Sequence, residues 1–179
     1  KGLSKEIPMA ASGLAEIAEN AGQLGIQKEN LVGFTRVMAD LGVATEDDAL
    51  EAVRRFLSYL PGNARAQMPA SSFDDPVDRR EDALLDLVPA NPRKAYDMRK
   101  VIALIADRDS TFEIKPTYAG NVLTILARLG GRPVGIVANQ PLKLGGMLDA
   151  KACDKMAHFI ALCDAYGLPL VSLIDIPGF

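Results

Sequence analysis

The chain has 179 residues, 49% hydrophobic and 24% charged, which is the composition of an ordinary globular domain and excludes a disordered or fibrous segment. Its 20 basic and 23 acidic residues give a net charge of −3, so no basic excess favours nucleic-acid binding. With one histidine and two cysteines, the chain cannot by itself form a His-based metal cluster, a zinc site or a disulfide framework.

The first 82 residues predict helices followed by a connection. Apolar residues with helical spacing predict one helix over residues 14–21. A second helix is predicted after Thr45, its N-cap, and ends at residues 61–63. Its apolar side chains, expected to be buried, are Leu50, Val53, Leu57 and Leu60. Residues 61–82 are polar and contain proline, which predicts a solvated linker that crosses a surface between two structural units.

From residue 83 the pattern changes to helices alternating with strands. Asp97 is predicted to cap a helix that runs to about Asp107. Its inward side chains are expected to be Val101, Ile102 and Ile105. Two strands follow over residues 122–129 and 133–138, and the glycines between them predict a hairpin.

A long helix and a final strand complete the pattern. The helix is predicted from Asp149 to just before Gly167, with His158 packed and not a catalytic base. Its core side is predicted to be Ala152, Cys153, Met156, Ile160, Cys163 and Tyr166. The strand over residues 170–176 is expected to be buried on both faces, with a C-terminal edge strand as the alternative. From its place at the end of the chain we expect a fragment of a longer protein. Together these elements predict an α/β layered domain.

Familiar catalytic motifs are absent from the sequence. Asp175 begins a segment like the magnesium-side motif of GTPases, but no phosphate loop accompanies it, so Asp175 is expected to be a turn or strand-end residue. Three turns, at residues 139–141, 145–146 and 177–179, remain. Their backbone N–H groups can stabilise an oxyanion or enolate, or they are ordinary strand-to-helix turns; the pattern leaves both open.

Several stretches match a known family in order and spacing. They are residues 88–99 (VPANPRKAYDMR), 131–141 (GRPVGIVANQP), 145–149 and 169–179 (PLVSLIDIPGF). They resemble the carboxyltransferase β subunit of biotin-dependent acyl-CoA carboxylases, of the propionyl-CoA and acetyl-CoA carboxylase type. Residues 43–63 resemble the end of the same family's N-terminal half, whereas residues 1–34 lie outside the resemblance.

The resemblance implies a crotonase-like (ClpP/crotonase) ββα layered α/β fold, incomplete here, with a helical N-terminal lead-in. Residues 1–42 are then an unassigned lead-in. Residues 43–82 are the end of the N-terminal carboxyltransferase half and the linker, and residues 83–179 begin the C-terminal half.

The resemblance also implies an activity, the transfer of CO2 from carboxybiotin to the α-carbon of propionyl-CoA or acetyl-CoA through enolates held by backbone amides. The catalytic oxyanion-hole turns of the family lie outside this sequence, so we expect the 179 residues alone to be inactive. Two alternatives stay open, a biotin-dependent acyl-CoA decarboxylase subunit of the same fold and a non-catalytic assembly module.

The resemblance further implies a site without metal that binds biotin. Its residues are Asn139, Gln140, Pro141, Gly145, Gly146, Pro177, Gly178 and Phe179. Tyr96 and Arg99 fall in a matching stretch, as ligand contacts or as structural residues.

The implied cofactor is biotin on a separate domain or subunit, with acyl-CoA as substrate and with ATP and magnesium confined to the partner. The implied partners are biotin carboxylase and the biotin carboxyl carrier, and the implied assembly is a hexamer built from dimers of this chain. No nucleic-acid or membrane partner is expected. The implied location is the cytoplasm, or the mitochondrial matrix in a eukaryote.

Overall fold

A computed structural model describes residues 46–63, 66–76, 78–91 and 94–176. The chain divides into two compact units. One unit comprises residues 1–55 and 114–118, and the other comprises residues 56–113 and 119–179. The helix predicted over residues 14–21 and the N-cap predicted at Thr45 lie outside the described residues.

Helix α1 (Glu46–Ser58) confirms the helix predicted after Thr45. Its predicted burial is wrong, because Leu50, Val53 and Leu57 are 55%, 45% and 57% exposed. Leu60, just beyond the helix, is buried as predicted. Helical spacing fixes which side chains share a face, but it does not fix whether another element covers that face.

Most described residues of the 61–82 segment are exposed, as predicted for a solvated linker, but the segment lies within one unit and so does not cross between two. The side chains of Asp75 and Arg79 are only 10% and 13% exposed and form an ion pair at 3.1 Å. The Arg128 guanidinium donates to the carbonyl oxygens of Pro69 at 3.1 Å and Ser58 at 2.7 Å. Charges that composition assigned to solvent therefore bind main-chain carbonyls and hold the segment to the sheet.

Two more of the described helices precede the sheet. Helix α2 (Ala83–Leu87) is a single short turn that hydrophobic spacing did not predict. Helix α3 (Met98–Ile105) begins as predicted, because the Asp97 side chain accepts a hydrogen bond from the Arg99 N–H at 3.0 Å. It ends at Ile105, which is 42% exposed and not inward as predicted. Arg79 donates to the carbonyl oxygens of Leu104 and Ala106, at 2.8 and 2.7 Å, and so supplies hydrogen-bond donors to carbonyl groups at the end of the helix.

The described sheet has four strands in the order β1-β2-β3-β4. These are β1 (Phe112–Glu113), β2 (Val122–Leu129), β3 (Arg132–Asn139) and β4 (Leu170–Leu173). The first two pairs are antiparallel, and β3 pairs with β4 in parallel. The predicted hairpin is confirmed, since Gly130 and Gly131 form its turn with φ angles of 59° and 76°. The Asp107 carboxylate accepts hydrogen bonds from both glycine N–H groups, at 2.9 and 2.7 Å.

Helix α4 (Ala150–Tyr166) confirms the predicted bounds, with Asp149 as N-cap and Gly167 at its end with a φ of 67°. It packs closely on the sheet at Gly135, where an added Cβ would overlap Cys163 Sγ and approach the Phe159 ring at 3.3 Å. Helix α3 contributes to the core cluster with β2 and β3, through Ile102, Leu123 and Ile136 among others. Both helices pack against strands, so the predicted α/β layering is confirmed.

The buried side of α4 differs from the prediction. It consists of Ala152, Lys155, Phe159 and Cys163. Cys153, Ile160 and His158 are exposed, so their predicted packing is wrong. The core side includes Lys155, whose Nζ donates to the carbonyl oxygen of Val122 at 3.0 Å. Because the prediction counted only apolar residues, it omitted this lysine and chose a neighbouring face of the helix.

Strand β4 is not buried on both faces, which corrects that prediction. Leu170 is 40% exposed, and Ile174, beyond the strand, is 77% exposed. Within the described residues β4 pairs only with β3, so it forms an edge of the sheet. None of the helices in the described ranges is long and apolar enough to cross a bilayer.

We expect Gly131→Ala to lower the free energy of unfolding by about 3 kcal/mol, because alanine disfavours the positive φ and its Cβ would overlap the Ser71 carbonyl oxygen. Gly62→Ala is the matched control, since an added Cβ at residue 62 meets no atom within 4 Å. Urea unfolding of both variants tests this; equal stabilities would contradict it.

Candidate functional site

The site is built where the parallel strands β3 and β4 end at the same edge of the sheet. Asn139, the last residue of β3, donates from Nδ2 to the Gly146 carbonyl oxygen at 2.8 Å. A Cβ added at Gly146 would lie 3.0 Å from the Asp175 carbonyl oxygen. Glycine at this position thus permits close approach of the chain's own backbone, whereas the sequence predicted close approach of a ligand.

Gln140 joins the end of β3 to the start of α3. Its side chain is fully buried. Its Oε1 accepts from the Met98 N–H at 3.2 Å, and its Nε2 donates to Asp97 Oδ1 at 2.6 Å. Its own backbone N–H donates to the Asn121 carbonyl oxygen at 2.9 Å. The amide is therefore used within the protein, and Gln140 positions the turn.

A cleft of about 540 Å³ opens beside this turn. It is lined by Val88, Pro89, Asn91, Lys94, Ala95, Tyr96, Pro141, Gly145, Asp175 and Ile176. Pro141 and Gly145 are thus the two predicted site residues on its wall. Asn139, Gln140 and Gly146 are buried at the same turn, and Pro177, Gly178 and Phe179 lie outside the described residues.

Gly145 has a φ of 63°, and an added Cβ there would meet no atom within 4 Å. Its main chain is therefore open to approach from the cleft, in contrast to that of Gly146. Glycine suits this position because the left-handed conformation is costly for other residues.

Tyr96 and Arg99, whose roles the sequence left open, differ in their surroundings. The Tyr96 hydroxyl donates to Asp175 Oδ2 at 2.7 Å, and both residues line the cleft. Desolvation and then the hydrogen bond and charge of Asp175 raise the pKa of Tyr96 to about 12. Arg99 instead binds Glu113 with two hydrogen bonds of 2.7 and 2.9 Å, which raise its pKa and join α3 to β1. The Tyr96–Asp175 pair is 79 positions apart, so no local pattern identifies it.

The described residues offer few catalytic side chains. Burial raises the pKa of the Cys163 thiol to about 11, which disfavours the reactive thiolate. No group of three or more metal-ligating side chains occurs within the ranges that the structure describes. The titratable side chains that line the cleft are Tyr96, Asp175 and Lys94.

The other side of the turn is fixed to α4. Asn121 Nδ2 donates to the Met147 carbonyl oxygen at 2.8 Å and to Asp149 Oδ1 at 3.3 Å. The Asp149 carboxylate also accepts from the Ala152 N–H at 2.9 Å. The bond from Ala152 is the main cause that lowers the pKa of Asp149, followed by the bond from Asn121.

We expect Gln140→Met to lower the free energy of unfolding by about 3 kcal/mol, because it removes the partners of Asp97 and of the buried Met98 N–H. Gln67→Met, at an exposed position, is the control. Urea titration measures both; a Gln140→Met protein as stable as the control would refute the role of the amide.

The Asp149 carboxylate should make stability depend on pH. Because its folded pKa is lowered, its contribution is present above the unfolded value of about 4 and is lost as pH falls through the folded value. Asp149→Asn keeps an N-cap oxygen without the charge, so its unfolding midpoint should fall less between about pH 5 and pH 2. Asp154→Asn, on an exposed position of α4, should retain the wild-type fall. Equal falls in all three proteins would count against the assignment.

Comparison with known proteins places the chain in a family. The family model for the carboxyl transferase domain matches residues 4–179, and so includes residues 4–34, most of the stretch that the sequence motifs left out. The propionyl-CoA carboxylase beta chain of Roseobacter denitrificans is 45% identical over 142 residues, covering 79% of this chain and 28% of that protein. The methylmalonyl-CoA decarboxylase subunit alpha of Veillonella parvula is 39% identical over 142 residues, which again cover 79% of this chain and 28% of that protein.

A solved structure supports the fold. The transcarboxylase 12S hexamer, with methylmalonyl-CoA bound, aligns with a TM-score of 0.73 and 42% identity, over 76% of this chain and 26% of the 12S chain. The crotonase-like prediction is thereby confirmed. The chain spans roughly a quarter to a third of the length of the relatives that it matches. The residues matched by the family model and the shared fold establish that this chain belongs to the carboxyl transferase domain family.

Proposed function

We propose that this chain is part of the carboxyltransferase component of a biotin-dependent acyl-CoA carboxylase. The observation that carries the proposal is the cleft at the ends of β3 and β4, lined by Pro141 and Gly145, in a chain of the carboxyl transferase domain family. The substrate would be a short acyl-CoA, propionyl-CoA or acetyl-CoA. The name and identity of the Roseobacter protein support propionyl-CoA.

The proposal assigns parts of the chain to two halves of a larger carboxyltransferase. Residues 83–179 would begin the C-terminal half, residues 43–82 would be the end of the N-terminal half and the linker, and residues 1–42 would be the lead-in. The groups that hold the thioester oxygen would lie on other parts of the whole protein, so the 179 residues would not turn over alone.

The cleft fits the head of biotin. Biotin presents a compact, uncharged double ring with a polar ureido edge, and a cleft of about 540 Å³ has the size of ordinary small-molecule sites. Its wall is partly apolar, at Val88, Pro89 and Pro141, and partly polar, at Tyr96 and Asp175. Such a mixture suits a ligand with apolar ring faces and a polar edge.

Carboxybiotin would supply the carboxyl group when bound. Pro141 would border its rings, and the open main chain at Gly145 would allow the closest approach. Asn139, Gln140 and Gly146 would keep the turn in place from behind, and Pro177, Gly178 and Phe179 would also belong to the biotin site. These residues would orient the ligand, and they would move no proton themselves.

The proposed reaction requires partners. Biotin carboxylase would use ATP and magnesium to carboxylate the biotin on the carrier. The carrier domain would then bring its carboxybiotin to the cleft. The whole protein would form a homo-oligomer built from dimers, a hexamer, as supported by the 12S hexamer. It would work in the cytoplasm, or in the mitochondrial matrix of a eukaryote.

A second candidate function is a biotin-dependent acyl-CoA decarboxylase subunit of the same fold. The observation that favours it is the 39% identity to the Veillonella methylmalonyl-CoA decarboxylase subunit. The same cleft would then receive biotin as acceptor of the carboxyl group and not as its source.

With the full-length protein, its biotinylated carrier and active biotin carboxylase, we expect labelled bicarbonate to be fixed into propionyl-CoA or acetyl-CoA in an ATP-dependent reaction. The ratio of labelled products identifies the preferred substrate. Omitting biotinylation of the carrier is the control and should abolish incorporation.

Two other outcomes would overturn the carboxylase proposal. Release of CO2 from methylmalonyl-CoA, without fixation of bicarbonate, would favour the decarboxylase. Neither reaction, with partners shown to be active, would favour a module that only assembles.

A further inference from the structure

Two segments that are distant in the chain line the cleft and are joined to each other. One is the stretch before α3 that ends at Tyr96, and the other is the segment after β4 that contains Asp175 and Ile176. The Tyr96 hydroxyl donates to Asp175 Oδ2 at 2.7 Å and so joins the two segments. This pair is therefore positioned to set the width of the cleft.

Each end of this hydrogen bond is anchored at the turn after β3. On one side, Asp97 and Met98 follow Tyr96 directly and are both bonded to the buried Gln140 amide. On the other side, the Asp175 carbonyl oxygen lies against Gly146, 3.0 Å from the position of an added Cβ.

A further hydrogen bond within the same turn joins the two anchor points. Asn139 precedes Gln140 in the chain and donates to the Gly146 carbonyl oxygen at 2.8 Å. The contacts therefore form a closed ring, which we call the cleft ring because Tyr96 and Asp175 line the cleft: Asn139, Gln140, Asp97, Tyr96, Asp175 and Gly146. A change at one contact of the ring alters the relative placement of the two segments.

The phenol is the accessible contact of the cleft ring. The bonds of Asn139 and Gln140 involve buried side chains, whereas the Tyr96–Asp175 bond is solvent-exposed. With a pKa of about 12, the Tyr96 hydroxyl stays protonated and able to donate at neutral pH. Removing it should open the ring without disturbing the core.

We infer that Tyr96 is a positioning residue for the ligand of the cleft: its hydroxyl fixes Asp175 and thereby holds the segment after β4 at the distance that the biotin head requires. This inference rests on the proposed function. Tyr96 acts through Asp175 and the backbone beside it, and no proton transfer is assigned to it.

The test uses the full-length protein with free biotin as carboxyl acceptor and methylmalonyl-CoA as donor. In this reaction the carboxylate leaves the α-carbon of methylmalonyl-CoA for a ureido nitrogen of biotin, and the proton of that nitrogen goes to the α-carbon. For Tyr96→Phe we expect the KM for biotin to rise about ten-fold, the size typical for loss of a hydrogen bond to a charged group. The KM for methylmalonyl-CoA and kcat should stay within about two-fold of wild type, since binding alone is changed.

Tyr166→Phe is the matched control, because Tyr166 lies on α4 and does not line the cleft. Asp175→Ala tests the same bond from its other side, should Tyr96→Phe fail to fold. The double variant should be no worse than Asp175→Ala alone, because both substitutions remove one interaction. Asp175→Asn keeps an acceptor oxygen, so it should retain most of the affinity for biotin that Asp175→Ala loses.

The outcomes separate the two claims. If the wild-type protein neither carboxylates acyl-CoA, nor decarboxylates methylmalonyl-CoA, nor transfers the carboxyl group to free biotin, the proposed function is overturned, and the inference with it. An active wild type in which Tyr96→Phe and Tyr166→Phe have the same KM for biotin overturns the inference alone. Equal losses in both KM values and in thermal stability would mark Tyr96 as a general structural residue and also overturn it.

Discussion

The buried amide of Gln140 is the interaction on which the arrangement of the site depends. A fully buried glutamine costs free energy unless its donor and acceptor are both satisfied, and here Asp97 and the Met98 N–H supply the partners. The end of β3 and the start of α3 can therefore meet in one way only without leaving a buried polar group unpaired. The turn at residues 144–146, the N-terminus of α4 and the cleft are built outward from that junction.

Local signals predicted the elements well. The two glycines of the β2–β3 turn, Asp97 and Asp149 as N-caps, and Gly167 at the end of α4 each act within a few residues, so the sequence contains the whole cause. The order of these elements then sufficed for an α/β layered class. The family resemblance extended this to a crotonase-like fold.

Burial and partners were harder to predict, because they depend on residues far apart in the chain. Lys155 lies on the buried side of α4 since the Val122 carbonyl oxygen receives its ammonium group, and no spacing rule foresees that pairing. Arg79 and Asp75 were predicted to be solvated for the same reason, although Arg79 binds a carbonyl oxygen and the two side chains bind each other. At the predicted biotin site, the motif did not distinguish Pro141 and Gly145, on the wall of the cleft, from Asn139 and Gln140, which are buried behind it.

The topology of the sheet has a consequence for the order of folding. The β2–β3 hairpin closes through a two-residue turn, so its strands can pair early and at little entropic cost. The cleft instead needs segments 79 positions apart to meet, and these contacts pay a larger loop-closure cost. The hairpin can therefore form before the cleft exists, and on heating we expect the cleft to open before the hairpin. Loss of ligand binding would then precede loss of the fold.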